Sequence, residues 1–237
     1  SHLSHFVDKL LTPFMEETTG YIRDTFDFLQ KLPKNIDQST IVTMDIVSLY
    51  TNIPKDYGLD AINYWLNKHP TKLDERFSCQ FILDALDLIL SNNIFHFQNR
   101  FFKQIHGTAM GTKVAPKYAH LVVAYLEQIV KAKSLEIFPF SKIELLFKYY
   151  WRFLDDILFF TDLTSDEIIK FIDIFNSIHL SFQFTYSYSK EKSQFLDVQI
   201  SIKNNLLETD IYHKPTDSFQ YLHFHSHHPR HIKRNLP

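Results

Sequence analysis

The chain has 237 residues, 45% hydrophobic and 16% aromatic, an ordered composition with room for one large domain or two small ones. Its net charge of −2 gives no global attraction to polyanions, so any nucleic-acid site must be a local basic surface. The single cysteine, Cys79, excludes a disulfide framework and a multi-cysteine zinc site and fits a reducing compartment; no stretch approaches a membrane span or reads as a signal peptide.

Apolar residues recur at helical spacing from the start: Leu3, Phe6, Val7, Leu10 and Leu11, then Tyr21, Ile22, Phe26, Phe28 and Leu29. That pattern predicts two helices, broken near Pro13 and Gly20, with a loop from Pro33 to Gln38. The β-branched run Thr40–Ile46 predicts a buried strand with an acid, Asp45, at its end. Helices are expected over about 57–68 and 77–90, followed by a tight hairpin turning at Asn99-Arg100. Two of only four glycines follow, in Gly107-Thr108-Ala109-Met110-Gly111-Thr112, ahead of a helix over about 116–132. Trp151 to Phe160 reads as two short buried strands around Asp155-Asp156. A helix over 165–177, capped by Ser165, precedes strands over about 182–188, 194–202 and 206–212, the last two joined by Asn204-Asn205. The tail, 213–237, is rich in His and basic residues. Helices mixed with mostly antiparallel strands predict an α+β fold.

Two adjacent carboxylates beside a core are costly unless something positive neutralises them, and Mg²⁺ favours carboxylate oxygens together with substrate phosphates. The plain alternative is an exposed hairpin turn, where Asp is common. Asp45 from a separate strand would complete a three-carboxylate site able to hold two metal ions for phosphoryl transfer. The Gly-rich turn entering a helix would let backbone approach a nucleotide closely. Tyr50 reads either as a core aromatic or as part of that site. The tail histidines, among them His223, His225 and His228, read either as a metal site or as a polar surface against a nucleic-acid backbone.

The segments Asp45–Pro54, Gly107–Pro116 and Phe153-Leu154-Asp155-Asp156 resemble reverse transcriptase motifs A, B and C. More narrowly they resemble Penelope-like retroelement reverse transcriptases, the relatives of telomerase. Ile211–Asp217, Tyr221-Leu222-His223 and Ser226–Pro229 are similar to the segment that follows the palm in that family. The resemblance implies a right-handed polymerase palm with an antiparallel sheet and flanking helices over 1–212. It places a remnant of the fingers at 1–38 and the start of a thumb at 213–237. It implies RNA-directed DNA polymerase activity by nucleotidyl transfer onto a primer 3′-OH. The cofactor would be two Mg²⁺ ions, with Mn²⁺ as the alternative. The partners would be an RNA template, a DNA primer and deoxynucleoside triphosphates, with no membrane. The protein would be intracellular and act in the nucleus.

Carried over residue by residue, Asp45, Asp155 and the Ile46 carbonyl would be metal ligands, and Asp156 would complete the acidic turn. Tyr50 matches the aromatic steric gate under the incoming sugar. Gln104, Gly107, Met110, Gly111 and Ala115-Pro116 match the motif supporting nucleotide and template. Lys190, or else Lys192, lies where a general-acid lysine is expected. Phe195-Leu196-Asp197 matches the primer grip, and Lys214, Arg230, Lys233 and Arg234 are expected on nucleic-acid backbone. Phe153 stands where Tyr is frequent in the family, and Met110 where Gln is. The upstream fingers motifs are missing and no GIY-YIG-type endonuclease module follows, so the expectation is a palm with the start of a thumb. The rival readings are a non-catalytic nucleic-acid-binding fragment and a metal-dependent nuclease.

Overall fold

A computed structural model describes residues 1–37, 40–217, 222–223 and 225–234. Gln38 and Tyr221, named above, lie outside these. In chain order the elements are α1 (His2–Met15), α2 (Thr25–Lys31), β1 (Thr40–Ile46), α3 (Leu49–Asn52), α4 (Lys55–Lys68), α5 (Cys79–Ser91), β2 (Ile94–Phe97) and β3 (Arg100–Lys103). Then follow α6 (Ala115–Ile137), α7 (Phe140–Lys148), β4 (Tyr150–Phe153), β5 (Asp156–Thr161), α8 (Ser165–Ile178), β6 (Phe184–Ser189), β7 (Lys192–Phe195), β8 (Val198–Lys203), β9 (Leu206–Ile211) and α9 (Arg230–Arg234).

The centre is a four-stranded antiparallel sheet in the order β4-β5-β1-β6. Strand alternation divides it into two faces. Val42, Met44 and Ile46, with Ile157 and Phe159, pack into the larger core against α1 and α4 to α8. Ile41, Leu158, Phe160 and Trp151 face the other way, under Phe28 of α2 and Phe195, Val198 and Ile200 of the small sheet β7-β8-β9. That second core covers only one end of its face. At the other end the same face of β1 carries Thr43 and Asp45, which stay partly or fully exposed. The outer edge of β4 is occupied by 20–22: the Arg152 amide donates to the Gly20 carbonyl (2.8 Å) and the Ile22 amide to the Arg152 carbonyl (3.3 Å).

Several expectations need correcting. Pro13 does not break α1, which runs through it to Met15. The cap of α8 is Thr164, in a reciprocal pair with Glu167, and not Ser165. The β2–β3 turn is built by Gln98 and Asn99, both at positive φ (46° and 59°), one residue earlier than expected. Helix α7 lies in a stretch to which no element had been assigned. The single strand expected over 194–202 is two strands, because the chain reverses at Leu196-Asp197.

Candidate active site

The antiparallel register sets Asp45 directly opposite Asp156 on β5 and Thr185 on β6. Directly opposed residues share a face, with Cβ atoms about 4.5–5.5 Å apart. Asp155 occupies the two-residue turn between β4 and β5, and its carbonyl accepts from the Ile46 amide (3.3 Å), which ties the hairpin tip to the end of β1. The register therefore brings the three acids to one corner of the sheet. Ile46 itself is buried.

The electrostatics follow from this crowding. Burial, followed by the charges of Asp155 and Asp45, pushes the Asp156 carboxyl up to about 6, against the opposing pull of Lys214. Burial and then Asp155 raise Asp45, and the same two causes in the same order raise the Tyr50 hydroxyl. Lys214 is placed beside the acids because the Tyr212 amide donates to the Asp197 carbonyl (2.9 Å), anchoring the chain just before it. Asp45, Asp156, Ser187, Gln194, Asp197 and Lys214 line one cleft of about 650 Å³. Asp155 is not in its wall; its charge acts on Tyr50 as well as on Asp45 and Asp156. Asp45 and Asp156 thus share a cleft with Lys214 and Asp197, and Asp155 lies near enough to Tyr50 for its charge to act there.

On the Tyr50 side, Ser48 adopts a left-handed conformation (φ 51°) that turns the chain out of β1 into α3. The Thr108 amide donates to the Tyr50 carbonyl (2.7 Å). Gly107 is at φ +69°, where an added Cβ would lie 2.4 Å from that same carbonyl oxygen, so glycine is required both by conformation and by space. Gly111 differs, since a Cβ there would meet nothing within 4 Å. Met110 is exposed, and Pro116 is exposed in the first turn of α6. The Gln104 side chain is turned back onto the His106 carbonyl (2.7 Å).

One site expectation does not hold geometrically. Lys190 follows Ser189, which pairs with Ile41, whereas Asp45 pairs with Thr185. At ~3.4 Å per residue that puts Lys190 roughly 15 Å or more along the strand from Asp45, out of reach of a reacting phosphate there. Lys192 starts the next strand from the same end. Phe195 is buried against Phe28 (ring centroids 5.0 Å apart) and serves the second core, yet it lines the cleft together with Leu196 and Asp197. Arg230, Lys233 and Arg234 sit on α9, where the Lys233 ammonium donates to the Ser226 carbonyl.

Beneath the acidic turn lies a buried polar network not singled out in the sequence. Arg152 is fully buried and donates to both Glu127 carboxylate oxygens (2.6 and 3.2 Å), to the His120 carbonyl (3.1 Å) and to the Leu154 carbonyl (3.1 Å). Tyr150 donates to Glu127 (2.5 Å), and burial followed by the Glu127 charge raises its hydroxyl well above the ordinary value. Burial and then Arg152 hold His120 well below its ordinary value, so the ring is neutral. Nδ1 then accepts from Arg152 (3.0 Å) and Nε2–H donates to Thr18 (2.7 Å), whose hydroxyl donates to the Met15 carbonyl (2.7 Å). Leu154 is at φ 54°, an uncommon conformation for a side chain of this size, and Arg152 grips its carbonyl. The available signals were an Arg inside an apolar strand run and a His and Glu seven residues apart on one apolar helix face.

Among the described residues no three His, Cys, Asp or Glu side chains are gathered closely enough to hold a metal ion unaided, in the tail or at the acidic corner. The corner is an open acidic cluster. Its donors nevertheless fit a hard divalent cation, being carboxylates whose mutual repulsion a cation would relieve.

No family model matches the chain, and no curated protein matches it. Solved structures do. Apo telomerase from Candida tropicalis, truncated from its C-terminal domain, matches at TM-score 0.59 and 13% identity over 89% of this chain and 45% of that one. Telomerase from Candida albicans in complex with a fragment of telomeric RNA matches at TM-score 0.63 and 10% identity, over 87% and 38%. The RNA polymerase complex inside a double-stranded RNA virus matches at TM-score 0.60 and 12% identity, over 84% and 19%. The chain has a polymerase-like fold. It spans less than half the length of these neighbours, and at such identities the likeness concerns the fold alone. Among the described residues no helix is long and apolar enough to cross a membrane.

Proposed function

We propose that this chain is the palm of an RNA-directed DNA polymerase, a reverse transcriptase of the Penelope-like retroelement kind. The observation that carries the reading is the opposition of Asp45 and Asp156 across β1 and β5 with Asp155 at the turn between them. Bound Mg²⁺ would supply charge neutralisation for the triphosphate and activation of the primer 3′-OH, held by Asp45, Asp155 and the Ile46 backbone with Asp156 beside them. The chain's own residues divide the substrates. Tyr50, braced by Gly107 and Thr108, faces the side on which an incoming deoxynucleotide would lie, and its ring would exclude a 2′-hydroxyl. Lys214 and Asp197 face the opposite cleft, where the ammonium suits the phosphates of a primer end. The RNA named with the Candida albicans telomerase agrees with a nucleic-acid partner for the fold.

The test pairs divalent-cation titration by calorimetry with primer extension on an RNA homopolymer template. Asp45→Asn and Asp155→Asn should each weaken cation uptake, and Asp155→Asn should abolish extension while primer–template binding persists. Uptake unchanged in both variants sinks the proposal. A non-catalytic nucleic-acid-binding module is the second reading, favoured by the openness of the acidic cluster. It predicts binding without extension in the native chain.

A further inference from the structure

The least explained surface of the molecule is the β2–β3 hairpin. All eight of its strand residues are exposed, and four of them are phenylalanines: Phe95, Phe97, Phe101 and Phe102, with Phe101 at 78%. A two-stranded hairpin has no core of its own, and exposed apolar patches of this kind mark interaction sites. Strand alternation gives each face both rings and a cation. Phe95, Phe97 and Phe102 share a face with Arg100, and His96 and Phe101 share the other with Lys103. The rings are already arrayed as platforms, Phe95 stacked on Phe102 (5.5 Å, 18°) and His96 tilted on Phe101 (5.0 Å, 52°).

Charge around the hairpin is one-sided. From Leu88 to Leu126 the sequence contains no Asp or Glu, but it contains Arg100, Lys103, Lys113 and Lys117, in a chain whose net charge is −2. Neither Arg100 nor Lys103 forms an ion pair among the described residues; Lys117 pairs with Asp8 (2.9 Å). An uncovered aromatic surface meant for another apolar protein face would not need unpaired cations on both sides. Stacked bases joined by phosphates need both. A groove of about 640 Å³, lined by Ile94, Phe95, Gln104, Ala109, Gly111 and Thr112, runs from the hairpin to the Gly-rich turn. That turn is bonded to Tyr50 through Thr108. The absence of any side chain at Gly111, where nothing lies within 4 Å, keeps that path open.

We infer that the β2–β3 hairpin is a stacking platform for single-stranded RNA, delivering the unpaired template along this groove toward the Tyr50 side of the site. The inference rests on the polymerase reading above. It is tested with a fluorescein-labelled uridylate dodecamer, by anisotropy in EDTA across a salt series. Because the hairpin is exposed, Phe97→Ala/Phe101→Ala and Arg100→Gln/Lys103→Gln should keep the native circular dichroism. The aromatic variant should lose affinity by roughly fivefold or more per ring, with an unchanged slope of log affinity against log salt. The charge variant should flatten that slope by about 1.4, at ~0.7 for each cation. Native binding in both variants overturns the inference. So does a native dimer that the aromatic variant dissociates, since another copy would then be what covers the hairpin. Neither result touches the polymerase reading, which falls if Asp45→Asn and Asp155→Asn leave cation uptake unchanged.

Discussion

Glu127→Ala is the perturbation that most directly probes how the acidic turn is held. It leaves the guanidinium of Arg152, fully buried, without its carboxylate partner, at a cost of about 3–5 kcal/mol for a broken buried pair. The Tyr150 hydroxyl loses its acceptor as well, which adds about 1–3 kcal/mol. Against a total stability of ~5–15 kcal/mol the variant is marginal. In urea, with a slope of ~1–3 kcal/mol/M, its midpoint should fall by roughly 2 M. The informative control removes the ion pair and the hydroxyl together. Arg152→Met/Glu127→Leu/Tyr150→Phe replaces the buried charges and the hydroxyl by apolar groups, an exchange that is often neutral or stabilising. It should unfold at a higher midpoint than Glu127→Ala, short of the native one because His120 loses its donor, and bind divalent cation more weakly, because the Leu154 carbonyl has lost its donor and the turn relaxes. Urea denaturation followed by circular dichroism and a cation titration on the folded protein read the two effects separately. A triple variant with native cation affinity would refute the idea that Arg152 positions the turn. A Glu127→Ala variant with the native midpoint would refute the stabilising role of the pair.

Three further predictions follow from single contacts. Gly107→Ala should destabilise the fold by more than ~1 kcal/mol, through positive φ and the clash with the Tyr50 carbonyl, whereas Gly111→Ala should leave the melting temperature unchanged or slightly higher; thermal melts of the pair decide it. Asp156 titrates at about 6 in the folded protein and at ~3.9 when unfolded, so between those values the folded state binds the extra proton and stability falls as pH rises. Asp156→Asn should therefore raise the melting temperature at pH 7 but not at pH 3.5, and equal shifts at both would be contrary. Under the proposed function, Tyr50→Val should raise the ratio of kcat/KM for ribonucleotides over deoxyribonucleotides; an unchanged ratio in an active variant makes Tyr50 an ordinary core aromatic.

What the sequence revealed depended on whether local chemistry matched tertiary demand. Thr40–Ile46 is β-branched and ends on an acid, and it forms the strand it reads as. Asn204-Asn205 advertises a turn with both residues at positive φ, and the structure has one, at 51° and 63°. By contrast, nothing at Leu196-Asp197 announces a reversal, because a leucine at φ 53° is set by packing around it and not by its own preference. Helix α7 went unread because α6 runs on past 132 to Ile137 with Leu135 and Ile137 exposed, blurring the apolar stripe on which a boundary could be placed. Order in the sequence suggests a catalytic role for Lys190, but its position is set by the antiparallel pairing of β6 with β1.

The two hairpins that frame the cleft are built alike, which bears on why the site is where it is. Phe153-Leu154-Asp155 joins β4 to β5 and Phe195-Leu196-Asp197 joins β7 to β8, with Leu154 at φ 54° and Leu196 at φ 53°. In each turn a leucine takes the strained position and leaves the following Asp at the tip. In the first, Arg152 secures the strained carbonyl from below. In the second, Phe195 is clamped under Phe28, and the Asp197 carbonyl receives the Tyr212 amide that brings Lys214 alongside. The second core thus has a task beyond stability. By burying Phe195 and Trp151 over one end of the sheet, it holds the small sheet against the large one and sets Asp197 and Lys214 across the cleft from Asp45 and Asp156. The cation and the acids face each other because two strained turns, each anchored behind by buried groups, point at the same space.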